Sequence, residues 1–297
     1  MSFSSDVKEE LCEVTWQPCC RAALAYGLLE TGRAFSAAAV SMQTERASVA
    51  QLYRTLLRDV CGVTAVHESE REGGFHLLSV DGADDRLGVL SRFGHAEGEV
   101  SLRLNRANLE CENCAAAYLA GAFLACGAVT DPQVDYHLEF HLPQYNLSRD
   151  LIALLRELGL RPKFMSRKSN QVVYFKESEQ IEDCLTRMRA TSASLELMSV
   201  KMVKDIRNNV NRLANCENAN IDKTVAAAAA QVEAIRRIER HGGLDALPSE
   251  LQELARLRLE YPEMSLRELG ETLTEPISRS GVNHRLRRIM EFAEDIK

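Results

Sequence analysis

Residues 19–32, CCRAALAYGLLETG, and residues 114–127, CAAAYLAGAFLACG, align without gaps and share six of fourteen positions, including the closing glycine. Both stretches are built almost wholly from small and apolar residues, so each predicts a helix slim enough to approach a partner closely. Their recurrence predicts two helices packed side by side about a pseudo-twofold axis, each ending in a glycine suited to the left-handed cap position. The order of segments downstream of each stretch repeats as well. After the first come an alternating segment, AVSMQTE, an amphipathic helix at 48–61 and strands at 63–67 and 75–80. After the second come the alternating DYHLEFHL, a helix at 146–159 and strands at 163–165 and 171–175. Alternation with period two marks strands and spacing of three to four marks helices. The fold class is therefore α+β, duplicated, with one copy in residues 1–105 and the other in 106–200.

The bulk properties fit this reading. Of 297 residues, 45% are hydrophobic and 27% charged, which is ordinary for a globular protein long enough for two domains. The N-terminus, MSFSSDVKEELC, is polar, and its Asp6/Glu9 pair has the spacing of a helix-opening capping box rather than a secretory signal. The longest apolar runs are alanine-rich and too short to span a bilayer, so the expectation is a cytoplasmic protein with no membrane partner. Nine cysteines, an odd number scattered along the chain, fit reduced thiols. The one local pattern is Cys111-x-x-Cys114, with Cys19-Cys20 as a candidate second half of a zinc site. Neither half has the partner spacing of a finger or ribbon and both open apolar helical segments, so the expectation is buried, inert thiols and no metal or other cofactor.

Downstream, residues 178–197 read as one helix with Ile181, Leu185, Met188 and Leu195 on repeating faces. Six asparagines between Asn208 and Asn220 then interrupt the periodicity, because their side chains compete for backbone hydrogen bonds. This predicts a linker at 201–220, with Lys201, Lys204, Arg207 and Arg212 either on a solvated face or in contact with backbone phosphates. The remainder, 221–297, divides into four helices. The first, at 221–240, stops at Gly242-Gly243; the second, at 251–261, has Ser249 and Gln252 spaced as a capping box. The third, at 266–273, opens with the box Ser265/Glu268, and the last, at 279–294, is capped by Ser278 or Ser280. The turn Thr274-Glu-Pro-Ile277 between the last two makes a helix-turn-helix over about 264–297.

Although the chain carries a net charge of -7, the segment RSGVNHRLRR holds four arginines and a histidine and no acid. On a helical wheel Val282, Leu286, Ile289 and Ala293 share one face. Ser280, His284, Arg287 and Arg288 lie opposite, flanked by Arg279, Asn283 and Arg285. That surface suits duplex DNA: arginine pairs with guanine O6 and N7, asparagine with adenine N6 and N7. Residues Arg279 through Asn283, at the start of the helix, are placed for bases, Arg287 and Arg288 are placed for phosphates, and Ser278 joins them as a DNA-binding residue. A second basic cluster, Arg161, Lys163, Arg167 and Lys168, is either a phosphate contact or an ordinary solvated turn.

Residues 119–127, LAGAFLACG, resemble the LAGLIDADG motif of homing endonucleases, and residues 24–32, LAYGLLETG, are a weaker form of it. In those enzymes the eighth motif residue is a metal-holding acid. Here the two positions are Thr31 and Cys126, which cannot replace a carboxylate toward magnesium. Glu30 lies one residue early, about 100° around the helix, and is expected to point elsewhere. The nuclease chemistry is therefore expected to be absent.

Together with SFSSDVKEELC, NRLANCENANIDKT and SLRELGETL...ISRSGVNHRLRRI, these motifs make the whole chain resemble the WhiA family of bacterial DNA-binding proteins. The resemblance implies a degenerate LAGLIDADG domain followed by an all-α helix-turn-helix domain similar to the promoter-reading region of sigma factors. It further implies a non-enzymatic transcription regulator linked to sporulation, cell division and chromosome segregation. Its partners would be double-stranded DNA on the nucleoid and the transcription machinery or another regulator. The family leads into its second motif with paired cysteines, where this chain has Cys111-x-x-Cys114. Two other readings stay open from the residues: an active endonuclease using another acid, and an N-terminal domain serving only as a protein-interaction or ligand-sensing module.

Overall fold

The computed structural model describes residues 2–71, 73–99, 101–167 and 170–296. They form two compact units, Met1–Lys204 and Asp205–Lys297.

The first unit is built twice on one plan. Helix α1 (Phe3–Glu13) precedes the first copy: α2 (Pro18–Glu30), β1 (Ala34–Phe35), β2 (Val40–Thr44), α3 (Ala47–Cys61), β3 (Val66–Arg71), β4 (Phe75–Val80) and α4 (Ala83–Arg92). The second copy is α5 (Cys114–Cys126), β5 (Gly127–Val129), β6 (Leu138–Leu142), α6 (Tyr145–Glu157), β7 (Lys163–Arg167), β8 (Asn170–Phe175) and α7 (Ser178–Arg187). Each copy folds into a four-stranded antiparallel sheet, in the orders β1-β2-β4-β3 and β5-β6-β8-β7. The identical order is the structural counterpart of the sequence repeat.

Helices α2 and α5 are buried nearly all round, including Leu24, Tyr26 and Leu28 on one and Tyr118, Leu119 and Phe123 on the other. They cross at their glycines. A Cβ on Gly27 would lie 2.1 Å from the Tyr118 carbonyl oxygen, and one on Gly121 would lie 2.1 Å from that of Leu24. Small residues thus permit backbone-to-backbone contact, as the repeat predicted. The closing glycines have a different reason. Neither Gly32 nor Gly127 takes a positive φ, and Gly127 is extended at φ -87°, ψ 150°. Instead a Cβ at Gly32 would press on the Ser41 carbonyl, and one at Gly127 on the Phe123 ring. The glycines make room for strand and ring rather than turning the chain.

Several local expectations are corrected. Helix α1 is capped by Ser2, whose hydroxyl accepts from the Ser5 amide, so Asp6 lies inside the first turn rather than at the cap. Strand β3 begins at Val66 because Val63 instead buries its side chain beyond the left-handed Gly62 that ends α3. The helix expected over 178–197 breaks at Arg189, which takes φ 68°, and Leu195 is exposed. The asparagine-rich segment does not interrupt the helix: α8 runs unbroken from Thr191 to Gly242. Each asparagine disfavours helix by only about 0.7 kcal/mol or less, and the Ala226–Ala230 run on the same helix favours it.

In the second unit, Ile235 and Ile238 from the end of α8 pack with Leu251 and Leu254 of α9 (Ser249–Glu260), Leu269 of α10 (Leu266–Thr272) and Val282, Leu286 and Ile289 of α11 (Arg279–Asp295). The capping box expected at Ser249 does not form. Pro248 occupies the cap position, and Gln252 donates to the Leu247 carbonyl instead. The box at Ser265 does form, with Glu268 N–H donating to Ser265 Oγ and Ser265 N–H to Glu268 Oε2. Buried Arg258 ties the α9–α10 connection by donating to the carbonyls of Pro262 and Met264. At the α10–α11 turn Ile277 N–H returns to the Gly270 carbonyl, and a Cβ on Gly270 would lie 2.4 Å from the Ile277 oxygen. The turn is tight because that residue is glycine.

Candidate nucleic-acid interface

Helix α11 starts at Arg279 because Ser278 has an extended backbone and its hydroxyl accepts from the Gly281 amide. Ser278 is therefore the cap, and its oxygen is partly committed to the backbone and to Ser280 Oγ at 3.2 Å. Val282, Leu286, Ile289 and Ala293 are buried against α9 and α10. Arg279, Ser280, Asn283, His284 and Arg287 are exposed. The wheel drawn from sequence is thus realised on both faces.

The arginines are not equivalent. Arg288 pairs with Glu250 at the start of α9 at 2.5 Å, and Arg285 donates to the Glu250 carbonyl. The hydrogen bond from Arg288, then its charge, holds the Glu250 carboxyl below its usual range. Arg288, unlike Arg287, is therefore paired with an intramolecular carboxylate. Arg279 and Asn283 line a cleft of about 830 Å³ together with Lys223 and Arg236 of α8, Arg258 and Arg267, with Glu263 as its acid. The positive charge extends beyond the terminal cluster onto α8, which a wheel of α11 alone does not reveal.

In the first unit Arg161, Lys163 and Arg167 are exposed on and beside β7, an edge strand, while Lys168 lies outside the described residues. Lys163 is 3.3 Å from Glu177. The matching edge strand of the first copy, β3, carries Glu68 and Glu70. Mid-sheet Glu139 accepts from His137 and His141; burial pushes its carboxyl up, but these two hydrogen bonds outweigh it and leave the pKa low. Exposed basic residues therefore cluster on the β7 edge, whereas β3 carries these two acids.

At the former nuclease positions, Thr31 is buried and donates to the Gly27 carbonyl, and burial pushes the Cys126 thiol up to about 11. Their neighbour is a cation, Lys8, whose own pKa is lowered by burial. Glu30 does point elsewhere, fully buried between the Tyr26 and Tyr118 hydroxyls at 2.7 Å each. Burial raises its carboxyl to about 8.

The expectation of buried thiols is corrected at Cys111, and the two cysteine pairs come together. Cys19, Cys20, Cys111 and Cys114 converge so that all four sulfurs lie within 4.8 Å of one another, and Cys111 is exposed. Hydrogen bonding from Cys114, then from the Asn113 amide and from Cys20, lowers the Cys111 thiol to about 7. The signal was in the repeat, whose alignment sets Cys19 on Cys114; spacing rules for zinc fingers do not see it.

Residues 115–207 match the WhiA LAGLIDADG-like domain, and residues 210–293 match the WhiA C-terminal HTH domain. A Clostridium botulinum protein named "Probable cell division protein WhiA" is 38% identical over 315 residues, spanning 100% of this chain and 99% of the relative. The chain belongs to the WhiA family. A Clostridium perfringens relative of the same name is 39% identical over 312 residues, again over 100% of this chain and 99% of its own length. The crystal structure of full-length DUF199/WhiA from Thermatoga maritima matches with a TM-score of 0.60 at 21% identity, covering 99% of this chain and 98% of that one. The WhiA fold, a LAGLIDADG domain of two four-stranded sheets followed by a helical HTH region, is thus the fold of this chain. Among the described residues no helix is long and apolar enough to cross a membrane.

Proposed function

We propose that this WhiA-family chain is a sequence-specific, non-enzymatic DNA-binding regulator of transcription, acting in cell division as its relatives' names indicate. One observation carries the reading: a short capped helix, a tight turn at Gly270, and a second helix whose apolar stripe is buried while Arg279, Ser280, Asn283, His284 and Arg287 face outward. That is the geometry by which a helix-turn-helix presents donors to a major groove. Arg279, Ser280 and Asn283 read base edges, Arg287 and His284 approach phosphates, and Arg285 and Arg288 hold α11 to α9. Arg161, Lys163 and Arg167 add phosphate contact from the first unit. The two acid positions of the LAGLIDADG motif support the non-enzymatic part, since a threonine and a thiol offer magnesium no carboxylate.

The test begins with duplexes selected from a random library by the full chain. Arg287→Ala is expected to weaken all duplexes alike and to reduce the slope of log affinity against log salt by about 1. Asn283→Ala is expected to relax preference at one base pair, at about 1–3 kcal/mol of discrimination. If substituting Arg279, Asn283 and Arg287 together left selectivity and salt slope intact, the reading would be wrong. Magnesium-dependent nicking of supercoiled plasmid by the pure protein would instead favour an active nuclease.

A further inference from the structure

We infer that Cys19, Cys20, Cys111 and Cys114 form a tetrathiolate site for a single zinc ion that ties the starts of the two repeated helices together. Four of the sulfur pairs are at 3.7 Å (Cys19–Cys111), 3.5 Å (Cys20–Cys111), 3.4 Å (Cys111–Cys114) and 3.9 Å (Cys20–Cys114). A tetrahedral zinc with bonds of about 2.3 Å places its sulfurs about 3.8 Å apart, so these edges are those of a zinc tetrahedron. None is near the roughly 2.05 Å of a disulfide.

A disulfide or a two-thiol redox pair needs only Cys111 and Cys114. It leaves unexplained why Cys19 and Cys20, from the other copy, crowd the same point. An iron–sulfur cluster distributes its thiolates over different irons and so spreads them wider than the 4.8 Å that encloses all four here. Four soft sulfurs tetrahedral around one point suit zinc and disfavour magnesium, calcium and manganese, which take oxygen ligands.

The setting suits a dianionic centre. Cys19 and Cys20 lie in the first turn of α2, behind Pro18, and Cys114 opens α5, so two helix N-termini direct their positive ends at the sulfurs. The ligands are drawn equally from the two copies. Metal therefore holds together the ends of α2 and α5 that precede the glycine crossing. This places the ion at the opposite end of those helices from Thr31 and Cys126, where the nuclease metals of the LAGLIDADG motif would sit.

The test uses the full chain purified under reducing conditions, with metal content measured by mass spectrometry. About one zinc per chain is expected, lost in Cys111→Ser and in Cys114→Ser and retained in Cys216→Ser, whose thiol is on α8. Should the ligand variants fail to fold, two measurements on the unsubstituted protein decide. Replacing zinc by Co²⁺ should give tetrahedral tetrathiolate absorption, and bound metal should shield four of the nine thiols from alkylation. Absence of metal both as isolated and after zinc titration, a native Cys111–Cys114 disulfide, iron with acid-labile sulfide, or zinc retained by both ligand variants would each overturn the inference.

Discussion

The buried carboxyl of Glu30 gives a stability signature that also bears on the nuclease question. Burial raises its pKa from the ordinary 4.5 to about 8, while the Tyr118 and Tyr26 hydroxyls partly offset this by hydrogen bonding. In the unfolded chain the group titrates near its ordinary value. Between pH 4.5 and about 8 the folded state keeps a proton that the unfolded state releases. Stability contributed by this group is therefore fully present below pH 4.5 and is lost as pH rises toward 8. The whole window corresponds to on the order of 5 kcal/mol, and pH 5.5 to 7.5 to about 3 kcal/mol. Glu30→Gln removes the titration while keeping the shape. Any cost from re-orienting the Tyr118 hydroxyl is independent of pH. Urea unfolding followed by the emission of Trp16, the single tryptophan and a core residue of the first unit, reads the relevant unit directly. Wild type should lose about 3 kcal/mol relative to Glu30→Gln between pH 5.5 and 7.5. Parallel curves for the two proteins would refute a protonated, buried Glu30, and would restore it as a candidate metal acid.

The packing sets three more expected outcomes. Gly121→Ala drives a methyl into the Leu24 carbonyl and should destabilise the first unit by roughly 3 kcal/mol, whereas Gly88→Ala, in α4 with open space around it, should stabilise by about 0.5–1 kcal/mol in the same unfolding assay. Ser265→Ala removes the α10 cap and should cost about 1 kcal/mol in thermal unfolding of the second unit. Arg288→Ala should loosen α11 from α9, seen as faster amide exchange at residues 249–252, with a smaller change in the salt slope of DNA binding than Arg287→Ala. Equal salt effects from the two arginines would show that the Glu250 pair opens freely on DNA.

The sequence by itself determined the duplication, the α+β class, the helix-turn-helix and the two faces of α11. Each of these is written in local periodicity, caps and small-residue patterns that need no knowledge of distant contacts. The loss of the nuclease acids was equally legible, since it depends on residue identity at two positions. Tertiary structure decided what depends on proximity. Gly32 and Gly127 reveal their reason only once Ser41 and Phe123 are packed against them. Arg288 and Arg287 differ only because α9 brings Glu250 to one of them. The asparagine tract reads as a break because local competition is visible in sequence, while the cooperativity that carries α8 through it is a property of the whole helix. Above all, two cysteine pairs without the partner spacing of a finger or ribbon meet at one point because α2 and α5 start side by side. Chain spacing cannot encode a distance that is set by packing between two repeats.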